Sequence, residues 1–404
     1  MIGPVDPPLR PRVLQVVTHL ALGGAERVAL NLVLGLHERF DFAVLAVAGV
    51  DSGELGQSMK SELEEIRVPL FVGTRVPIKF GGMFLAGLRA AEAVRRFRPD
   101  IIHLHSEIPE SSYAAMVASG GRQERAQLVR TIHGTVYWHS WRKVGRWCDR
   151  RMRRSFVAGV SEGAVDAFER LRAESGAGPL PQPPVVIYNG VPTGHSLGPR
   201  HRDPGQRLAL LFAGRLENEK GADLLPEILR KVRPADGRSC QLSIFGSGTF
   251  EAELRALASR PPPGWMITVS APVPDLGARM MEYDLVVMPS RHEGLGLIAI
   301  EAALQGLPVV ATDGPGLREA FPAGYPWLAK PDDVDSFARL LQTVIDDPAT
   351  WGPVAAMAQT FAREHFDAPA MFDAYATLYL QALRAHSSPR DEGATTGPGG
   401  SPPA

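Results

Sequence analysis

Cysteine is almost missing from this chain, with Cys148 and Cys240 the only two among 404 residues. Two thiols cannot make a disulfide framework or a cysteine-based metal cluster, and they fit a reducing cytoplasm. Lysine is scarce too: six of the 43 basic residues are Lys. Such an arginine excess is expected of a GC-rich genome, so position rather than number gives an Arg its meaning. The net charge is -1, which leaves no basic field to attract nucleic acid. No stretch approaches the roughly 18 apolar residues of a membrane span. The opening MIGPVDPPLRPR has no apolar run of signal-peptide length. No Asp-x-Asp stands in a strand-end loop where a divalent metal would be held. Asp332-Asp333 sits at an expected helix start and reads as a cap. The expectation is a cytoplasmic protein that at most rests on the inner face of a membrane.

What is present is the composition of an ordinary globular protein, 45% hydrophobic and 22% charged. At roughly 100–200 residues per domain, the length suggests two domains. Short apolar runs at 12–17, 42–47, 100–105 and 127–132 read as buried parallel strands. Helical patterns near 25–36, 83–97 and 138–154 lie among them. A second series of strands begins at 207–214 and continues through 241–246, 265–270, 284–289 and 307–312. This alternation predicts an α/β fold of two Rossmann-like, doubly wound parallel-sheet domains facing a cleft. The expected boundaries are 1–192 for the first domain, a Pro- and Gly-rich linker at 193–206, and 207–385 for the second. Residues 386–404 lack large apolar side chains and read as a disordered tail.

Ligands of such sheets bind at the carboxyl ends of the strands. The run GRLENEKG follows the strand ending near 213 and places Gly214, Arg215 and Lys220 in its loop. The Arg fork and the Lys point charge together suit a diphosphate leaving group without a metal. A solvated loop among Glu217 and Glu219 is the plain alternative. A more specific run, PSRHEGLGLIAIEAALQGLPVVATD, follows the strand at 284–289. Glu293 falls in its loop with Gly294 and Gly296. A helix expected to begin near Leu295–Leu297 carries Glu301 on its second turn. Free amides at such a helix start face an anion, and carboxylates suit paired hydroxyls. Glu301 inside LIAIEAAL needs a polar partner, because an unpaired carboxylate there is costly. In the first half, Gly23 and Gly24 enter a helix, and His133 ends a strand in TIHG. A simple helix entry and a structural histidine are the bland readings of those two. His103 reads as structural, and His105 as structural or cleft-lining.

Segments 212–225 and 289–310 resemble the family 4 retaining glycosyltransferases of the GT-B fold, whose Glu-x7-Glu motif matches Glu293 and Glu301. The likeness extends over roughly residues 12–380, with GGAE, TIHG, IFGSG and YNGV in place. It implies that Arg215 and Lys220 bind the donor diphosphate, Glu293 the sugar hydroxyls and Glu301 the ribose. The amides of Gly296 and Leu297 would add to the phosphate site, and the base would lie near Val273. Gly23 and Gly24 would approach donor phosphate and acceptor, and His133 the sugar near its reacting carbon. In such proteins the last helix packs back on the N-terminal domain. The implied activity is transfer of a hexosyl unit, with retention, from a nucleoside diphosphate sugar to a hydroxyl acceptor. UDP is favoured on family frequency, and no cofactor or metal is required. The departing phosphate is thought to take the acceptor's proton, so no side chain is named as a base. Two departures stand out: Asp313-Gly314-Pro315-Gly316 replaces a Gly-Gly pair, and Leu295 replaces an aromatic residue. Both bear on selectivity.

The acceptor has no readable code: a glycan, a lipid or a small natural product fits. In the basic helix at 138–154, Trp141, Val144, Cys148 and Met152 should face the core, leaving Arg142, Arg146, Arg150 and Arg153 as an outer stripe. That stripe is either a solvated face or a contact for anionic lipid. A nucleotide-sugar epimerase of the same architecture, or a catalytically silent sugar-nucleotide-binding subunit, are the competing functions.

Overall fold

The computed structural model describes residues 10–387 except 22, 77–80, 121–125, 193–206, 234–238 and 275. The expected linker lies outside the described residues, as does the tail beyond 387. The first unit holds β1 (Arg12–Val17), α1 (Gly24–Leu36), β2 (Asp41–Ala46), α2 (Glu54–Glu65), β3 (Leu70–Val72), α3 (Gly82–Phe97), β4 (Ile101–His105), α4 (Glu107–Ala118), β5 (Gln127–Ile132), α5 (Arg142–Arg151), β6 (Phe156–Gly159), α6 (Glu162–Ser175) and β7 (Val185–Val186). The second holds β8 (Leu208–Ala213), α7 (Leu225–Lys231), β9 (Cys240–Phe245), α8 (Glu251–Ser259), β10 (Trp265–Ser270), α9 (Leu276–Arg279), β11 (Leu285–Met288), α10 (Leu297–Leu304), β12 (Val309–Thr312), β13 (Leu328–Ala329), α11 (Val334–Asp346) and α12 (Trp351–His365). The chain closes with α13 (Ala368–Ser387), which takes in the first two residues of the segment expected to be a tail.

The sheet orders are β3-β2-β1-β4-β5-β6-β7 and β10-β9-β8-β11-β12-β13, and every strand pairing between them is parallel. Each order reverses direction once, between β1 and β4 and between β8 and β11. The loops that diverge at those points open a crevice for a ligand. Burial on both faces explains the near-continuous apolar runs of the strands. In the first sheet, strand alternation sorts the polar exceptions. Gln15, His103, His105 and Thr131 share one face with Val13, Val17 and Val129, whereas Arg130 lies on the other. The first of these faces is covered by α1 and by α13, which leaves the second unit and packs on the first sheet.

Helix α11 bears out the cap at Asp333, whose carboxylate accepts from the Ser336 amide at 2.9 Å, whereas the Asp332 carboxylate turns to Arg291. The basic helix is shorter than the pattern suggested, Arg142–Arg151, and Trp141 is not in the core. It stands at the cap position, 40% exposed, because the chain turns at Trp138 with φ 54° before the helix begins. Val144 is half-buried, and Cys148 and Met152 are buried, as expected.

Candidate active site

A cleft of about 1240 Å³ runs between the two sheets. All twelve residues singled out from the sequence line it: Gly23, Gly24, His133, Gly214, Arg215, Lys220, Val273, Glu293, Gly294, Gly296, Leu297 and Glu301.

On the C-terminal wall, two loops 73 residues apart are held as one surface. Gly221 takes φ 68° and lies so close to the Pro289 carbonyl that a Cβ would clash. Arg291 clamps the same junction. Its guanidinium donates to both Asp223 carboxylate oxygens at 2.7 and 2.9 Å, to the Asn218 carbonyl at 2.6 Å and to Asp332 at 2.6 Å. Its own amide donates to the Glu219 carbonyl at 2.8 Å. The brace brings the Lys220 ammonium to the Glu293 carboxylate at 2.6 Å, and the Ser290 hydroxyl holds the other Glu293 oxygen at 2.9 Å. Arg215 donates to Glu219. Both cations therefore rest on carboxylates that an entering anion can displace. A pair such as Arg215–Glu219, about half-exposed, is held by little energy.

Helix α10 starts beside them. Gly296 takes φ 86° at its N-cap, in the left-handed region, and the helix start at Leu297 and Ile298, whose amides have no partner within the helix, lines the cleft. Glu301 falls on the second turn. Burial raises its carboxyl to about 7, against a smaller pull downward from the Arg27 guanidinium across the cleft. Arg27 itself is held by Glu62 at 2.9 and 3.1 Å. The departure at 313–316 has a structural use. Gly316, at φ 77°, lies against the carbonyls of Glu293 and Gly294, and its loop leads to Glu319.

On the N-terminal wall, the strand ends supply Gly23 and Gly24 after β1 and His133 after β5. Gly24 meets the Leu297 side chain, and Gly294 meets the His133 carbonyl, so close that no Cβ would fit there. Thr135 donates to the Glu293 carbonyl at 3.1 Å. The Glu319 carboxylate crosses to the start of α6 and accepts from the amides of Glu162 at 2.7 Å and Gly163 at 3.0 Å. Burial lowers the His133 imidazole to about 3, so it is neutral across the working range. His105 is 1% exposed and does not line the cleft; it sits directly behind His133, with Nδ1 2.8 Å from the His133 Nε2.

Sequence reading missed Arg291, Asp223, Ser290 and Glu319, whose partners are far away in the chain. It also missed Asn189, 4% exposed and lining the cleft, although YNGV had been matched as a segment. Half of the Arg stripe is held within the protein: Arg142 forks onto Glu174 at 2.6 and 2.8 Å, and Arg150 donates to the Ser175 carbonyl at 3.3 Å. Among the described residues, no helix is long and apolar enough to cross a membrane.

A family model described as Glycosyltransferase Family 4 matches residues 22–195, and one described as Glycosyl transferases group 1 matches residues 199–364. A glycogen synthase of Mycobacterium tuberculosis is 29% identical over 318 residues, 76% of this chain and 75% of that protein. A D-inositol 3-phosphate glycosyltransferase of an Arthrobacter species is 36% identical over 168 residues, 40% of this chain and 39% of that one. Among solved structures, Anabaena Alr3699/HepE in complex with UDP and glucose superposes with a TM-score of 0.72 at 20% identity, covering 92% of this chain and all of that one. Staphylococcus aureus TarM superposes with a TM-score of 0.66 at 12% identity, over 93% of this chain and 100% of that one. The two models between them take in all but the first strand of the two sheets and most of the cleft, and so the chain belongs to the family 4 glycosyltransferases of the GT-B fold, enzymes that use a nucleotide sugar as donor.

Proposed function

We propose that this enzyme transfers a hexosyl unit from UDP-sugar to a hydroxyl acceptor with retention of anomeric configuration and without a divalent metal. The observation that carries the reading is the meeting of Lys220, Glu293 and the start of α10 at one point of the cleft wall. A sugar diphosphate needs a cation, an acceptor of sugar hydroxyls and an oriented set of amides within one sugar's width, and these are those groups. Arg215 and Lys220 take the diphosphate, with the amides of Gly296 and Leu297. Glu293, freed from Lys220, takes the sugar hydroxyls, and Glu301 takes the ribose. The base lies against Val273, and His133 approaches the sugar near its reacting carbon. Gly23 and Gly24 admit phosphate and acceptor where a side chain would intrude.

Charge that develops on the departing diphosphate meets preorganised donors, which is the main source of rate in such a site. Closure of the cleft aligns acceptor with donor and excludes water. The Anabaena HepE structures, in complex with UDP and glucose and with UDP-glucose, support UDP as the first nucleotide to try. Cys148 and Cys240 are both buried and are not bonded to each other, which accords with a cytoplasmic setting. Contact of the 142–154 segment with an anionic membrane stays a separate proposal, read by salt-sensitive co-sedimentation with vesicles.

The test is a thermal-shift screen against UDP-, GDP-, ADP- and dTDP-sugars. The bound donor is then incubated with candidate acceptors in EDTA, and the anomeric configuration of the product is read by NMR. Stabilisation by a UDP-sugar and a product of unchanged configuration are expected. Turnover that is lost in EDTA and restored by Mn²⁺ or Mg²⁺ overturns the metal-free reading. Isomerised sugar formed from donor alone would make the enzyme an epimerase.

A further inference from the structure

A continuous line of hydrogen bonds leads from the cleft into the core of the first unit. His133 Nε2 meets His105 Nδ1 at 2.8 Å, and His105 Nε2 meets the Gln15 carbonyl oxygen at 2.7 Å. The Gln15 amide nitrogen donates to the Tyr379 hydroxyl at 3.0 Å, and that hydroxyl meets His103 Nδ1 at 2.7 Å. His103 Nε2 meets the Thr131 hydroxyl at 2.7 Å, which meets Tyr375 at 3.0 Å. Every member except His133 is at most 1% exposed. The two tyrosines belong to α13, more than 240 residues further along the chain than the others.

The line has a direction. A carbonyl oxygen only accepts, so His105 must carry its proton on Nε2. Burial, with the neighbouring imidazoles, keeps His105 neutral, so its Nδ1 is bare and accepts. His133 must then donate through Nε2, which leaves its own Nδ1 unprotonated. On the far side, the Tyr379 hydroxyl receives from Gln15 and donates to His103 Nδ1, and His103 passes its Nε2 proton to Thr131. Turning over the Gln15 amide would reverse every step and leave His133 protonated on Nδ1. In the structure that amide lies with its oxygen toward His105 and its nitrogen toward Tyr379, which is the first of the two directions.

We propose that Gln15, His105 and Tyr379 are positioning residues that hold His133 as the Nε2-protonated tautomer, presenting Nδ1 to the cleft as a hydrogen-bond acceptor for a hydroxyl of the donor sugar. The assignment of the sugar to His133 rests on the function proposed above; the tautomer does not. A neutral imidazole offers one donor and one acceptor, and the partner of its inner nitrogen chooses which one faces the ligand. The last helix of the chain thereby sets the chemistry of a side chain in the first unit.

The test uses the full-length chain with ¹⁵N-labelled histidine and three variants. Tyr379→Phe keeps the ring and removes the hydroxyl. Gln15→Met keeps the volume and removes both polar atoms. Gln15→Glu can still accept from His105 Nε2. Ring ¹⁵N shifts should show His133 protonated on Nε2 in the wild type and in Gln15→Glu, and a mixture of tautomers in Tyr379→Phe and Gln15→Met. Turnover should fall by about tenfold or more in those two while KM for the UDP-sugar changes little. Gln15→Glu, the variant that buries a charge and strains the core most, should keep the higher rate; a purely structural line of bonds gives the reverse order. A wild-type His133 protonated on Nδ1, or a tautomer unmoved by Tyr379→Phe, overturns the proposal. Should no nucleotide sugar be turned over, the functional reading fails while the shifts still decide the tautomer.

Discussion

Arg130 and Arg215 are the same side chain put to opposite uses. Arg130 has no exposure and spends its donors inside the first unit: on Glu110 at 3.0 Å, Asp149 at 2.8 Å and the Tyr137 hydroxyl at 2.9 Å. Glu110 and Asp149 are themselves fully buried. Arg215 keeps a side chain 52% exposed and one partner, Glu219, on the same loop. A charge sealed in the interior must keep its partners, because losing one leaves the other unpaid in a medium of low polarity. A charge on the wall of a cleft gives up its partner readily, since water screens both states. The first arrangement holds a fold together, and the second can exchange a carboxylate for a phosphate.

The sharpest way to break that contrast is to remove each arginine in turn. Arg130→Ala should cost about 3–5 kcal/mol in urea unfolding, the range for one partner removed from a buried pair. A loss under about 1 kcal/mol would mean that the buried cluster is not the anchor its geometry suggests. Arg215→Ala should do the converse, leaving melting temperature near that of the wild type, whereas Lys220→Ala leaves the buried Glu293 carboxylate without its cation and should lower it in part. Each should cut turnover about a hundredfold, or about 3 kcal/mol of charge stabilisation. A variant that keeps a tenth of the wild-type rate would remove its residue from the diphosphate site.

The two glutamates sharpen the same comparison within one wall. Glu301→Ala should weaken the free nucleoside diphosphate by about tenfold in calorimetry, through the loss of a charged hydrogen bond. Glu293→Ala should slow transfer and leave that affinity nearly unchanged. If the two variants damage nucleotide binding alike, the separate roles are wrong. The raised Glu301 carboxyl adds a pH signature. Ribose hydroxyls donate best to the ionised form, which is the minor form below pH 7. Affinity for the intact nucleotide sugar, whose diphosphate charge is constant, should therefore rise about tenfold from pH 6 to pH 8. Glu301→Gln should flatten that rise. His19, held above its usual range by Glu26, works in the opposite sense, because its charge fades as pH rises. A profile that keeps its slope in Glu301→Gln belongs to another group.

The smallest expected effect is at Glu319, whose carboxylate caps α6 from the facing unit. Glu319→Ala should lower stability by about 1 kcal/mol, as the loss of a helix N-cap does, and Glu319→Gln should recover part of it. An unfolding curve indistinguishable from the wild type would show that the contact adds nothing to the apposition of the two walls.

Much of the site was legible because it is written locally. Parallel strands buried on both faces announce themselves as apolar runs, and the residues after them fall in the crevice by topology. Gly214, Arg215, Lys220, Glu293 and Glu301 were all reached in that way. Strands β3, β6, β7 and β13 were missed: three of them have only two or three residues, too few to show a period, and β6 has four. Trp141 was misplaced because helical spacing was extended across a turn that a positive φ at Trp138 interrupts.

By itself, then, the sequence determined the two parallel sheets, the order of their loops and the type of chemistry each loop carries. Those properties depend on side chains a few residues apart and on the period of the backbone. Only the tertiary structure decided that Lys220 rests on Glu293, that Arg291 ties their loops together, and that His105 stands behind His133 and not beside it. It alone brought Tyr379 to Gln15 across 364 residues. A hydrogen bond acts over about 3 Å, and nothing in the spacing of two residues along a chain says whether folding will bring them that close.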